Sequence, residues 1–107
     1  MSNIVTQLNS IFKPHSVAVI GASDNVGKWG YLMVNRPLRT GYGGKIYPVN
    51  PQAKSVMGLP CYTSVRDIPG PVDLAVITTQ ASQVPIVMQQ CVEKGVKGAV
   101  YHAINNA

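Results

Sequence analysis

The sequence predicts one doubly wound α/β domain: a five-stranded, mostly parallel sheet in the order 3-2-1-4-5, with helices on both faces. Three observations predict it. Short apolar runs without polar alternation, Val17–Ile20 and Val72–Thr79 among them, read as strands buried on both faces. Stretches of helical period separate them, which makes the connections right-handed crossovers. The first run enters a glycine-punctuated turn, Gly21-Ala22-Ser23-Asp24-Asn25-Val26-Gly27-Lys28-Trp29-Gly30, and a helical pattern follows at once.

Taken in order, Ile4, Val5, Leu8, Ile11 and Phe12 recur at helical spacing, so residues 4–12 read as a short amphipathic helix ended by Lys13-Pro14-His15. Strand 1 is Val17–Ile20. The next helix runs from about Val26 or Gly27 to Arg39, with Pro37 expected to kink its last turn. Lys45–Asn50 is strand 2, and Pro48 limits its pairing. Pro51, Gly58 and Pro60 break residues 51–60 into a loop with a turn or two. Cys61-Tyr62 is a short strand 3, and Ser64 caps one helical turn reaching Ile68. After Pro69-Gly70-Pro71 comes strand 4, Val72–Thr79. Ser82 reads as the N-cap of a helix that tolerates Pro85 in its first turn. Val84, Val87, Met88, Cys91 and Val92 share one face of it, and Gly95 ends it. Lys97–Tyr101 is strand 5. Ligands of such folds bind beyond the carboxyl ends of the strands, at the point where the strand order reverses.

Composition narrows the function. Only 12% of residues are charged, about half the usual ~25%. The net charge is +5, and Lys28, Arg36, Arg39, Lys45 and Lys54 gather in the first half, favouring an anionic ligand. A single Phe, a single Trp and no basic run argue against nucleic acid. Cys61 and Cys91 read as free thiols of a reducing compartment and as packing residues, not metal ligands; a mixed disulfide with a thiol ligand is the alternative. Residues 1–10 lack a signal-peptide pattern, and no apolar run reaches the ~18 residues of a membrane span, so the expectation is a cytoplasmic chain without membrane contact.

The glycine turn is built for phosphate, because glycine lets backbone amides approach and a helix start carries about half a positive charge. It is not a P-loop: five residues separate Gly21 from Gly27, and Trp29 stands where a hydroxyl should hold magnesium. Nor does it fit the dinucleotide fingerprint. Ala22 and Ser23 follow Gly21, and strand 2 ends in Val49-Asn50-Pro51 with no carboxylate for a ribose diol. Asn50, Gln52, Lys54 and Ser55 offer polar and basic groups there instead. They suit an adenosine with an extra ribose phosphate, as in NADP or coenzyme A.

Six blocks, in order over roughly residues 8–100, carry a resemblance. They are Ser16–Ser23, Gly27-Lys28-Trp29-Gly30, Tyr47–Pro51, Gly58–Tyr62, Val72–Ile77 and Gly95–Val100. Together they resemble the N-terminal, Rossmann-like coenzyme A (CoA)-binding domain of NDP-forming acyl-CoA synthetases. That family includes the succinyl-CoA synthetase alpha subunit and ADP-forming acetate–CoA ligases. The resemblance implies that Gly21, Ala22 and Ser23 meet the phosphates and pantetheine, with Lys28 near the diphosphate. It implies that Val49, Asn50 and Pro51 border adenine and ribose, that Lys54 approaches the 3′-phosphate, and that Thr78 and Thr79 flank the pantetheine arm. Gln80 and Val26 depart from prolines common in the family, and the sequence after Val100 diverges.

Catalysis in the resembled synthetases needs a phosphorylated histidine in a second domain and an ATP-grasp unit. Residues 1–107 are therefore expected to be a single CoA-binding domain, truncated after strand 5, that binds without turnover and lacks those domains or subunits. His15 and His102 read as surface or capping residues, and Trp29 as a packing anchor or a lid. An open strand 5 invites self-association into a homo-oligomer. Two rival functions stand beside this one: an NAD(P)-binding oxidoreductase fragment, and a stand-alone regulatory module that senses CoA.

Overall fold

A computed structural model describes residues 13–102, so the helix expected over 4–12 lies outside the described residues. The strands are β1 (Ser16–Ile20), β2 (Lys45–Val49), β3 (Ser55–Val56), β4 (Leu59–Pro60), β5 (Leu74–Ile77) and β6 (Gly98–Tyr101). The helices are α1 (Trp29–Arg39) and α2 (Val84–Lys94), with 3-10 turns at Val65–Asp67 and Ala81–Gln83. The main sheet is parallel throughout, in the order β2-β1-β5-β6.

That sheet has four strands, not the five expected in the order 3-2-1-4-5. Cys61-Tyr62 makes only one parallel bridge, Tyr62 to Val49, on the outer side of β2. Two bonds hold it: the Tyr62 amide donates to Pro48 O (2.9 Å) and the Asn50 amide to Tyr62 O (2.9 Å). Extension fails on both sides. Pro60 has no N–H to give, and Ser64 starts the 3-10 turn by accepting the Arg66 amide on its hydroxyl. Residues 55–60, expected as loop, form an antiparallel hairpin of β3 and β4. Met57 and Gly58 lie at φ 50° and 78°, as a type I′ turn requires.

β1 is buried on both faces, as its apolar run predicts. Ala18 and Ile20 meet Val49, Val65, Val87 and Cys91 on the face that carries α2. On the opposite face Val19 packs with Ala22, Val34 of α1 and Val56 of the hairpin. Each fully buried Val or Ile among them contributes about 1.5–3 kcal/mol. α1 starts at Trp29 and runs through Pro37 to Arg39, the end expected from the sequence. Within α2, Val87 and Cys91 are buried, whereas Met88 and Val92 face outward, narrowing the apolar stripe expected there. Ser82 does not cap α2; it sits in the preceding 3-10 turn, and Gln83 takes the cap position without a side-chain bond. Gly95, at φ 82°, closes α2 by donating to Cys91 O and Val92 O.

The amino ends of the strands are fastened by a buried polar knot. Ser16 Oγ donates to Pro71 O and accepts the Asp73 amide, while Asp73 accepts the His15 amide (2.8 Å) and pairs with Lys97 (3.5 Å). His15 thus belongs to the end remote from the carboxyl edge. No described helix is long and apolar enough to cross a membrane.

Candidate functional site

A cleft of about 940 Å³ opens along the carboxyl edge of the sheet, between the start of α1 and the amino half of α2. It is near the upper end of the ~300–1,000 Å³ range typical of small-molecule sites. No acid is among its lining residues, whereas Lys28 and Arg66 are.

The loop after β1 is held by its own side chains. Ser23 Oγ accepts the Asn25 amide (2.9 Å), and Asn25 Oδ1 accepts the Gly27 amide (3.0 Å). Ser23 Oγ donates to no partner among the described residues, which leaves its hydroxyl proton free. Gly21, at φ 94°, packs so closely on Thr78 that a β-carbon would stand 2.5 Å from Thr78 Oγ1. The Gly21 and Ala22 amides both donate to Val49 O (2.9 and 3.2 Å), so neither is free for a phosphate. Free donors shift to the first turn of α1, where Trp29 and Gly30 line the cleft and no side chain caps the helix.

Eight of the ten residues expected at the site line the cleft: Gly21, Ser23, Lys28, Val49, Asn50, Pro51, Thr78 and Thr79. Ala22 is buried beneath the loop in the α1-side core, and the exposed Lys54 is not among the lining residues. Asn50 is occupied as a brace. Its Nδ2 donates to Ala22 O (2.9 Å) and its Oδ1 accepts the Gln52 amide (2.8 Å), fixing the loop after β1 against the loop after β2. Thr78 Oγ1 likewise donates to Ile20 O (2.9 Å). Thr79 differs, because its hydroxyl oxygen is buried without a hydrogen-bond partner among the described residues. Such an orphan costs about 1–3 kcal/mol until something satisfies it.

The fold also brings in residues beyond the ten expected at the site. Arg66 and Gln90 line the α2 side. Trp29 and His102 meet at the cleft with ring centroids 4.1 Å apart and a 56° tilt. His102 arrives there because β6 pairs in parallel with β5 and the His102 amide donates to Ile77 O. Both thiols are off the cleft lining, and burial pushes each above its ordinary value of 9.0. That disfavours the thiolate a mixed disulfide needs.

Residues 15–103 match the family described as CoA binding domain. The chain belongs to that family. This CoA-binding domain is 51% identical over 96 residues to acetate–CoA ligase (ADP-forming) II of Archaeoglobus fulgidus, a match covering 90% of the chain and 14% of the ligase. It is 46% identical to the alpha subunit of acetate–CoA ligase (ADP-forming) II of Pyrococcus furiosus, covering 87% of the chain and 20% of that subunit. Acetyl-coenzyme A synthetase 1 of Ca. Korarchaeum cryptofilum superposes in its apo form with a TM-score of 0.84 at 42% identity, over 86% of this chain and 20% of that one. The chain therefore spans about a fifth or less of the length of these relatives.

Proposed function

We propose that this chain is the CoA-holding module of an ADP-forming acyl-CoA synthetase of the cytoplasm, and that it binds without turning over. The observation carrying this reading is the cleft itself: cations, hydroxyls and a helix start, with no carboxylate, at the carboxyl edge of a CoA-binding domain. In the proposed complex the first turn of α1, Lys28 and the Ser23 hydroxyl hold the diphosphate. Gly21 and Ala22 shape the loop instead of donating to it. Val49 and Pro51 border the adenosine, braced by Asn50. Thr78 and Thr79 flank the pantetheine arm, whose amides offer the Thr79 hydroxyl the partner it lacks.

In the longer enzyme the bound thiol would be presented to an acyl phosphate made by other domains or a second subunit, giving acyl-CoA and phosphate. The NAD reading is weaker, since the residue that follows β2 is Asn50, not an acid, and its side-chain amide is spent on Ala22 O and the Gln52 amide. The β6 edge, unpaired among the described residues and with Val100 48% exposed, supports self-association of the chain, which sedimentation would show as species above monomer mass.

Trp29 lines the cleft, so its fluorescence reports occupancy. Titration with CoA, NAD and NADP should show saturable binding of CoA and at least ~10-fold weaker binding of both dinucleotides. Equal or tighter binding of NAD would overturn the proposal.

A further inference from the structure

The cleft's two permanent cations flank the sheet from opposite faces. Lys28 precedes α1, which packs on the Val19 face. Arg66 belongs to the 3-10 turn whose Val65, with the adjacent Ile68, packs on the Ala18 and Ile20 face beside Val87 and Cys91 of α2. Lys54 cannot supply that second face. Its segment is tied to the α1 side, where Ala53, Val56 and Met57 pack with Val34, and its side chain is not part of the cleft wall.

The surroundings of Arg66 suit a phosphate. Ser64 fixes the turn by accepting the Arg66 amide (3.2 Å) and donating to Gln90 Oε1 (3.3 Å). The exposed Thr63 adds a hydroxyl to the same stretch of wall. One terminal nitrogen of Arg66 binds Glu93 at 2.9 Å, with the side chain 52% exposed. Glu93 is not among the lining residues, so it steadies the guanidinium from behind while the remaining donors of the fork stay available.

We infer that Arg66, with Thr63 beside it, seats the ribose 3′-phosphate of CoA, and that Lys54 does not. This assignment rests on the reading of the cleft as a CoA site. The diphosphate and the 3′-phosphate are separate anionic groups of one nucleotide, and the cleft offers one cation on each face of the sheet to receive them.

The test compares CoA with dephospho-CoA on the full 107-residue chain, by Trp29 fluorescence or calorimetry. Wild type should prefer CoA by about 10-fold or more. Arg66→Gln should abolish that preference by weakening CoA alone, leaving dephospho-CoA within about twofold. Lys54→Ala should leave the preference intact. Arg66 is exposed, and an unchanged melting curve of the ligand-free variant would exclude a folding defect. The inference is overturned if wild type does not discriminate, if Arg66→Gln weakens both ligands equally or neither, or if Lys54→Ala costs as much of the preference as Arg66→Gln. Failure of wild type to bind either ligand would instead sink the CoA reading itself.

Discussion

Gly30 presses against Gly21: a β-carbon on Gly30 would lie 1.9 Å from the Gly21 carbonyl oxygen and 2.8 Å from its carbon. Both neighbours are backbone, so no side chain can swing away to make room. The contact sets where α1 begins relative to the end of β1, and hence where the cleft's free amides stand. Gly30→Ala should cost about 1–3 kcal/mol, lower the melting temperature by roughly 4–8 °C per kcal/mol, and weaken CoA. Gly27→Ala is the control, since its β-carbon meets only Asn25 Oδ1 at 3.6 Å. Comparable melting losses in the two variants would refute this.

The brace at Asn50 ties two loops with one amide group. Asn50→Ala removes the bonds to Ala22 O and the Gln52 amide at once. The expected cost is about 1–3 kcal/mol in chemical denaturation, with a larger proportional loss of CoA affinity because both loops form the cleft. A variant of unchanged stability would show that the brace is dispensable.

Thr79→Val should separate stability from binding. The buried hydroxyl has no partner to lose among the described residues, so the substitution should leave stability unchanged or raise it by up to about 1–2 kcal/mol. CoA affinity should fall several-fold, because the pantetheine arm loses a hydroxyl partner. Parallel melting and calorimetry would check both halves, and undiminished affinity would remove Thr79 from the site.

Alkali should destabilise the fold. Burial pushes the Cys61 and Cys91 thiols above their ordinary 9.0, and burial followed by the Asp73 charge pushes the Tyr42 phenol above 10.0. The unfolded chain releases these protons first. Stability is therefore full below about pH 9 and is lost as pH rises through the folded-state values. Urea midpoints at pH 9, 10 and 11 should decline in that order, less steeply in Cys91→Ala. A flat profile would contradict the burial of these groups.

Strand and helix positions were legible where a local signal existed. The apolar run at Val17–Ile20, the αL glycine at Gly95 and the cap at Ser64 all appear where the sequence places them. The hairpin at Ser55–Pro60 was not legible, because Met57 occupies a left-handed position that usually calls for Asn, Asp or Gly. Asp24 Oδ1 accepts the Met57 amide at 2.8 Å, a long-range tie that no local pattern announces. The site divided in the same way. The lining residues beside the glycine loop and at the ends of β2 and β5 adjoin motifs visible in the sequence. Arg66 and His102 reach the cleft only through the packing of α2 and the register of β6. Lys54 is near β2 in sequence, while the hairpin packs its segment on the α1 side and Lys54 is not among the cleft's lining residues.

Amide-resolved NMR titration with CoA tests the central claim most directly, because it reports on every donor at once. Saturable shifts concentrated at Ser23, Lys28, Trp29, Gly30 and Thr79, with the amino-end knot around Ser16 and Asp73 unmoved, are the predicted result. Shifts centred elsewhere, or none at millimolar CoA, would contradict the claim that this glycine-bounded cleft holds the cofactor.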